Sequence, residues 1–138
     1  MAVKERLVMI NALKKIVVPY LREQGFKGSF PHFRRQNEDN MDLITFQFNR
    51  YGGSFIVELA VCAKDGITMS WGEKILPNKV TVHDVNERYR LGANEKKSSD
   101  HWFSYENAKN EKDFDLVASK VWSLLHVSDH NWIKNLFE

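Results

Sequence analysis

The sequence contains one cysteine, three prolines and seven glycines among its 138 residues. A single cysteine excludes a disulfide-stapled scaffold and a cysteine-rich zinc module, and it is typical of a reducing compartment, so we expect a cytoplasmic protein. So few prolines and glycines exclude a collagen-like or low-complexity chain. No stretch approaches the ~18 uncharged apolar residues of a membrane span, and no small-residue cleavage site follows the charged N-terminus, so we expect neither a membrane segment nor a signal peptide.

A strong excess of charge of one sign is also lacking. The chain has 20 Lys+Arg against 18 Asp+Glu, a net charge of +2, which disfavours a dedicated nucleic-acid-binding protein. The hydrophobic share is 43%, enough to bury a core and to exclude intrinsic disorder. We expect one domain over residues 1–138, with neither nucleic acid nor a membrane as partner; the oligomeric state stays open.

Motifs of common enzyme classes are absent as well. The sequence has no P-loop, no GxGxxG, no GxSxG and no HExxH. Cys62 ends an apolar segment, where a small packing residue is the expected role. His126 and His130 have helical metal-ligand spacing, but a helix break at Ser128 would separate them. We therefore expect no assigned catalytic residue, no cofactor and no metal ion.

The pattern of apolar residues predicts an α+β fold. Steps of three and four predict a helix over 2–24, which Pro19 kinks near 16–18 and Gly25 ends. A helix capped by Asp113 follows late in the chain, and Ser128 or Asp129 would cap another. We expect an N-terminal helix, an antiparallel sheet of about five strands that begins as a meander, and two C-terminal helices on one sheet face. The expected strands cover 29–36, 41–50, 54–63, 86–92 and 101–106; residues 64–86 show only a short alternation at 67–71.

Two predicted turns set the register of the first strands. A four-residue turn at 37–40 places Phe33 opposite Ile44 on one face and His32 opposite Thr45 on the other. A two-residue turn at Gly52-Gly53 places apolar residues opposite each other and Gln47 opposite Glu58. The pairs expected from this second turn are Phe48 with Val57, Phe46 with Leu59, and Ile44 with Val61.

The other sheet face carries the polar residues that are the best candidates for a site. Guanidinium groups on rigid strands suit bidentate capture of a carboxylate or phosphate, and tryptophan lines binding surfaces. The competing interpretation is an exposed face whose charges neutralise one another, and we expect Trp122 and Trp132 to pack in the core. The candidate ligand-binding residues are His32, Arg34, Gln47, Arg50, Glu58, Arg88, Arg90 and Trp102.

Several short segments occur in an order that resembles the bacterial domain of unknown function 4304 family. The resemblance covers about residues 13–106 and implies a small cytoplasmic bacterial domain, without implying catalytic residues, because the family's function is unassigned. The segments are LREQGFK at 21–27, FRR at 33–35, LITFQFNR at 43–50, FIVELAV at 55–61, RYRLG at 88–92 and HWF at 101–103.

Two functions follow as hypotheses. The first is a non-enzymatic binding module for a protein partner or a small anionic ligand, an immunity-type role being one version by analogy of size. The alternative is a small hydrolase- or transferase-like enzyme with Glu58 or His32 as base and arginines that bind an anionic substrate. A closed pocket joining Glu58, His32 and an arginine would favour the enzyme; an open face with exposed aromatic residues would favour the partner.

Overall fold

A computed structural model describes residues 2–92 and 102–128. The elements are, in chain order, α1 (Ala2–Ile16), α2 (Val18–Glu23), β1 (Lys27–Ser29), β2 (His32–Gln36), β3 (Asn40–Phe48), β4 (Ser54–Ala63), β5 (Ile67–Thr68), β6 (Lys74–Ile75), a 3₁₀ helix (Val82–Asp84), β7 (Tyr89–Arg90), β8 (Phe103–Ser104) and α3 (Glu111–Ser128).

The N-terminal helix breaks where the sequence predicts a kink. α1 ends at Ile16 and α2 resumes at Val18, one residue before Pro19. Proline has no N–H to donate and its ring clashes with the preceding turn, which accounts for the interruption. Gly25 ends α2 with φ +94°, and the next N–H, that of Phe26, bonds back to the Leu21 carbonyl at 2.9 Å.

An antiparallel sheet forms the second layer, as predicted. In the part of the chain that the structure describes, five strands run in the order β1-β2-β3-β4-β7, and β8 pairs with β4 beside β7, so the sheet has six strands rather than about five. The strands β5 and β6 form a separate two-stranded sheet.

The prediction of one strand over 29–36 is wrong. Residues 27–36 form a hairpin in which β1 pairs with β2, and the chain reverses at Phe30–Pro31, whose peptide bond is cis. Pro31 has no N–H for a strand ladder, so the reversal lies where pairing would lose a donor. The predicted β2–β3 register is confirmed, with Phe33 opposite Ile44.

The predicted β3–β4 register is wrong by two residues. Phe48 lies opposite Phe55, because the connection is not a two-residue turn but a loop over residues 49–53. The Asn49 N–H donates to the Ser54 carbonyl at 2.9 Å, and the Asn49 side chain accepts from the Tyr51 N–H at 2.9 Å. Glu58 therefore pairs with Thr45, and Gln47 pairs with Ile56. A shift of two residues keeps every side chain on its predicted face.

The main core lies between the sheet and the helices. Phe46 points toward the helices, as predicted, and is 2% exposed. The sheet contributes Phe33, Ile44, Phe46, Phe55, Val57 and Leu59; the helices contribute Met9, Ala12, Leu13, Val17, Leu21, Phe114, Ala118, Val121 and Leu125.

The other face of the sheet is partly covered. Val80 and Val82 pack over Leu43, Met41 and Ala60 to form a second, smaller apolar cluster. Val80 and Val82 belong to residues 64–86, the segment for which the sequence pattern predicted only a short alternation. Part of the face that was predicted to be polar is therefore closed to solvent.

One C-terminal helix, α3, is described. It begins at Glu111 rather than at a cap on Asp113, because the Asn110 side chain accepts a hydrogen bond from the Asp113 N–H at 3.0 Å. The second predicted C-terminal helix, with Trp132, lies outside the described residues, as do His130 and His101. Trp122 is not a core residue: it is 37% exposed and stacks on His126, with ring centroids 5.1 Å apart.

Candidate functional site

A row of four polar side chains crosses the sheet on the face away from the helices. The register places His32 opposite Thr45, Thr45 opposite Glu58, and Glu58 opposite Arg90, so the row spans β2, β3, β4 and β7. Directly opposed residues of antiparallel strands share a face, with Cβ atoms about 5 Å apart. The row therefore contains, in order across the sheet, an imidazole, a hydroxyl, a carboxylate and a guanidinium group.

Glu58 is the buried charge in this row, with an exposed fraction of 4%. Its Oε2 atom lies 4.0 Å from Arg88 Nη1 and 4.0 Å from Arg90 Nε. These distances make ion pairs but exceed hydrogen-bond length. A buried carboxylate without such partners would be strongly destabilising. Both guanidinium groups thus lie beside the same buried carboxylate.

Arg88 is fixed by the backbone of the segment that covers the second apolar cluster. Its Nε donates to the Val85 carbonyl at 2.9 Å, and its Nη2 donates to the His83 carbonyl at 3.1 Å. Since backbone carbonyls hold the guanidinium, the planar group is preorganised instead of sampling many rotamers.

Arg90 lies against an aromatic side chain. Its guanidinium carbon is 5.9 Å from the centroid of the Trp102 ring, within cation–π distance. Trp102 is 40% exposed and so presents much of its surface to solvent. The structure thus brings Glu58, Arg88, Arg90 and Trp102 together, and we refer to Arg88, Arg90 and Trp102 as the Arg–Trp corner.

His32 occupies the far end of the row and contacts a different set of groups. Its Nδ1 is hydrogen-bonded to Thr45 Oγ1 at 3.0 Å, and its ring meets the His83 ring edge-on, with centroids 5.9 Å apart. Burial, and then the nearby His83 and Arg34, lower the pKa of His32. The imidazole is therefore neutral at neutral pH. It is separated from Glu58 by two strand spacings, about 10 Å.

Arg34 lies one row away from His32 on the same sheet face. It pairs with Lys27 on β1 and with Leu43 on β3. Its Nε donates to the Val80 carbonyl at 2.7 Å, and burial lowers its pKa. Arg34 thus belongs to the β1 side of the sheet, whereas the Arg–Trp corner belongs to the β7 side.

Two candidates lie away from the row. Gln47 is exposed and pairs with Ile56, beyond the pairing of Thr45 with Glu58. Arg50 lies in the β3–β4 loop, where its guanidinium carbon is 5.4 Å from the Tyr51 ring centroid. Its backbone carbonyl also accepts a 3.4 Å hydrogen bond from Arg6. Arg50 therefore belongs to a separate region at the end of the hairpin.

Thr45 and His83 are site neighbours that sequence reasoning did not select. Thr45 was assigned to the correct face, but a threonine among apolar residues gives no functional signal by itself. His83 belongs to the segment 64–86, where no periodic pattern indicated its position. The signal that could have indicated Thr45 is its pairing with polar residues on both neighbouring strands.

Other chemistries have less support in the described residues. Burial raises the pKa of the Cys62 thiol to about 11, so the thiol is protonated at neutral pH, and the side chain packs against the second apolar cluster. No group of three or more metal-ligating side chains occurs within residues 2–92 and 102–128. Over those ranges, no helix has the length and apolar character needed to cross a membrane.

A helix layer on one face of an antiparallel sheet, with charged side chains on the other face, defines a small α+β protein. The sequence matches a known family over residues 17–134, most of the chain. The chain belongs to this family, the domain of unknown function (DUF4304) family, which confirms the resemblance noted from the sequence. Comparison with curated proteins gives no match, and comparison with solved structures gives none.

Proposed function

We propose that this chain is a non-enzymatic binding module that contacts an acidic surface of a protein partner through the Arg–Trp corner. The observation that carries the proposal is the packing of Arg90 against Trp102, with Trp102 40% exposed. Arginine and tryptophan are the residue types most enriched among those that dominate binding energy at protein interfaces.

The charges of the corner support an acidic partner. Arg88 and Arg90 both lie 4.0 Å from the Glu58 carboxylate. Glu58 is almost fully buried and cannot itself meet a partner, whereas the side chains of Arg88 and Arg90 are 35% and 25% exposed. A carboxylate on a partner surface suits these partly exposed, planar guanidinium groups.

The geometry gives the enzyme alternative less support. A hydrolase or transferase would need its base, its second proton-transfer group and its substrate-binding arginine within hydrogen-bond reach. His32 is bonded to Thr45 and lies about 10 Å from Glu58, two strand spacings away. Glu58 in turn has its arginines at 4.0 Å instead of in close hydrogen bonds.

An immunity-type role is one concrete form of the proposal. In that form the partner is a toxin whose acidic surface the Arg–Trp corner covers. This version rests on analogy of size and architecture alone.

The test compares three variants of the full chain as immobilised baits in an extract of cells that naturally contain the protein. The variants are Trp102→Ala, Arg90→Lys, which keeps the charge near Glu58 but removes the planar group, and Arg50→Ala as a control in a separate region. We expect wild type and Arg50→Ala to retain a common protein, which is then purified for affinity measurement. Trp102→Ala should weaken its binding by about 30-fold or more, the effect of a ~2 kcal/mol interface residue.

The outcome is decided by the purified pair, not by capture alone. Binding by wild type should weaken as salt rises, because rim charges are screened. A partner that binds Trp102→Ala and Arg90→Lys as tightly as wild type would overturn the proposal. Finding no protein whose retention depends on Trp102 would overturn it as well.

A further inference from the structure

The opposite edge of the sheet carries a second basic surface. Lys27 on β1 lies directly opposite Arg34 on β2, so two positive side chains share one face at neighbouring positions. Like charges directly opposite each other destabilise a strand pair. A bound anion would offset this repulsion.

The surroundings of this pair are basic as well. Arg34 and Asn78 border two adjoining depressions, of about 280 Å³ and about 420 Å³. Lys27 lines the first and Lys79 lines the second. Within the described part of the chain, neither depression has an aspartate or glutamate among its lining residues.

Arg34 is held so that part of its guanidinium group is available. Its Nε donates to the Val80 carbonyl at 2.7 Å, which fixes the plane of the group. Neither Nη nitrogen has a hydrogen-bond partner among the residues that the structure describes. Guanidinium groups fixed in this manner suit the oxygens of a phosphate or carboxylate.

Asp84 is the carboxylate that acts on Arg34 electrostatically. Its Oδ2 atom accepts a 2.9 Å hydrogen bond from the Thr81 N–H, as part of the cap of the 3₁₀ helix. One carboxylate that is already hydrogen-bonded does not balance Lys27, Arg34 and Lys79. The surface therefore keeps a positive surplus that fits a ligand with more than one negative charge.

We propose that Lys27, Arg34 and Lys79, together called the Lys–Arg cleft, bind a small phosphate-bearing ligand. A phosphate group offers several strong acceptor oxygens and up to two negative charges, which suits a surface that carries several cations. A single carboxylate offers one charge and fewer acceptors. The site lies on the β1–β2 side and is independent of the Arg–Trp corner on the β7 side.

The test uses inorganic phosphate as probe and acetate as the singly charged comparison, at low ionic strength. Binding to the full ¹⁵N-labelled chain is followed by NMR through the backbone amides of Gly28 and Asn78. The variants are Lys27→Ala and Lys79→Ala, both exposed residues, with Lys112→Ala on α3 as the control that removes the same charge elsewhere. Arg34→Ala is avoided because it also removes the hydrogen bond to Val80.

We expect saturable shifts with phosphate, weaker shifts with acetate, and an affinity at least about fivefold lower in each of Lys27→Ala and Lys79→Ala. Lys112→Ala should bind phosphate like wild type. Equal affinity in all three lysine variants, or the absence of saturable phosphate binding, would overturn the proposal. Trp102→Ala should leave phosphate binding unchanged, so failure here is distinguishable from failure of the partner-binding proposal.

Discussion

Replacing Phe46 with alanine tests the arrangement of the two sheet faces. Phe46 is 2% exposed, and its ring stacks on Phe30 with centroids 5.2 Å apart. The Phe33 ring lies nearly perpendicular to it, with centroids 6.1 Å apart, and Val57 lies opposite on β4. Removing the ring leaves a cavity between sheet and helices and eliminates two aromatic contacts.

The cost of Phe46→Ala follows from this packing. Phenylalanine-to-alanine changes in well-packed cores lower the free energy of unfolding by about 3–5 kcal/mol. With roughly 2.1 cal/mol/K of unfolding entropy per residue, the melting temperature should fall by about 10–17 °C.

The assay is urea unfolding followed by circular dichroism, with Gln47→Ala as the matched control. Gln47 is the next residue on β3, points to the other face and is exposed, so its replacement should change stability by less than about 0.5 kcal/mol. A loss below about 1 kcal/mol for Phe46→Ala would refute the assignment of this face to the core.

Two other predictions concern backbone strain and pH. Gly66 and Gly72 both have positive φ, +103° and +95° respectively. A Cβ atom added at Gly66 would overlap the Ile75 carbonyl oxygen, whereas a Cβ atom added at Gly72 would meet nothing within 4 Å. Gly72→Ala should therefore cost only the left-handed strain of about 1–2 kcal/mol and Gly66→Ala clearly more in urea unfolding; equal losses would contradict this. Folding lowers the pKa of His32, so as pH falls the unfolded chain binds a proton at this imidazole before the folded chain does. The contribution of His32 to the free energy of unfolding should therefore decline as pH falls below about 6.5. NMR titration of the His32 ring checks this, and a folded-state pKa above 6.5 would be the wrong result.

The helix-facing side of the sheet could be predicted because alternation and burial agree over three strands. Phe33, Ile44 and Phe46 are large apolar residues at every second position, and a strand has a side-chain period of two. The error of two residues in the β3–β4 register left this assignment intact. An error of one residue would have moved Phe46 to the other face.

The length of the β3–β4 loop could not be predicted from the two glycines alone. Gly52 and Gly53 do adopt positive φ, as expected of turn residues. The turn that determines the register, however, is built by Asn49, whose side chain and backbone both bond within the loop. Several loop lengths are compatible with a Gly-Gly pair, so its position could not fix the pairing of Phe48.

The cover on the second face was unpredictable for a different reason. The strands β5, β6 and β7 have two residues each, too few to produce a periodic pattern. Val80 and Val82 are buried by contacts with Leu43 and Ala60, which are distant in sequence. Tertiary packing of this kind determines burial without leaving a local sequence signal.

This cover explains why the candidate residues form two surfaces instead of one groove. Val80 and Val82 pack over the second apolar cluster, and the carbonyls of Val80 and Val85 hold Arg34 and Arg88 respectively. One covering segment therefore fixes two guanidinium groups on this face, Arg34 near the β1 edge and Arg88 near the β7 edge. Sequence reasoning could assign these arginines to a common face, but only the path of the covering segment separates them. If both proposed sites exist, a substitution that displaces this segment should weaken both, whereas Lys27→Ala and Trp102→Ala should each weaken one.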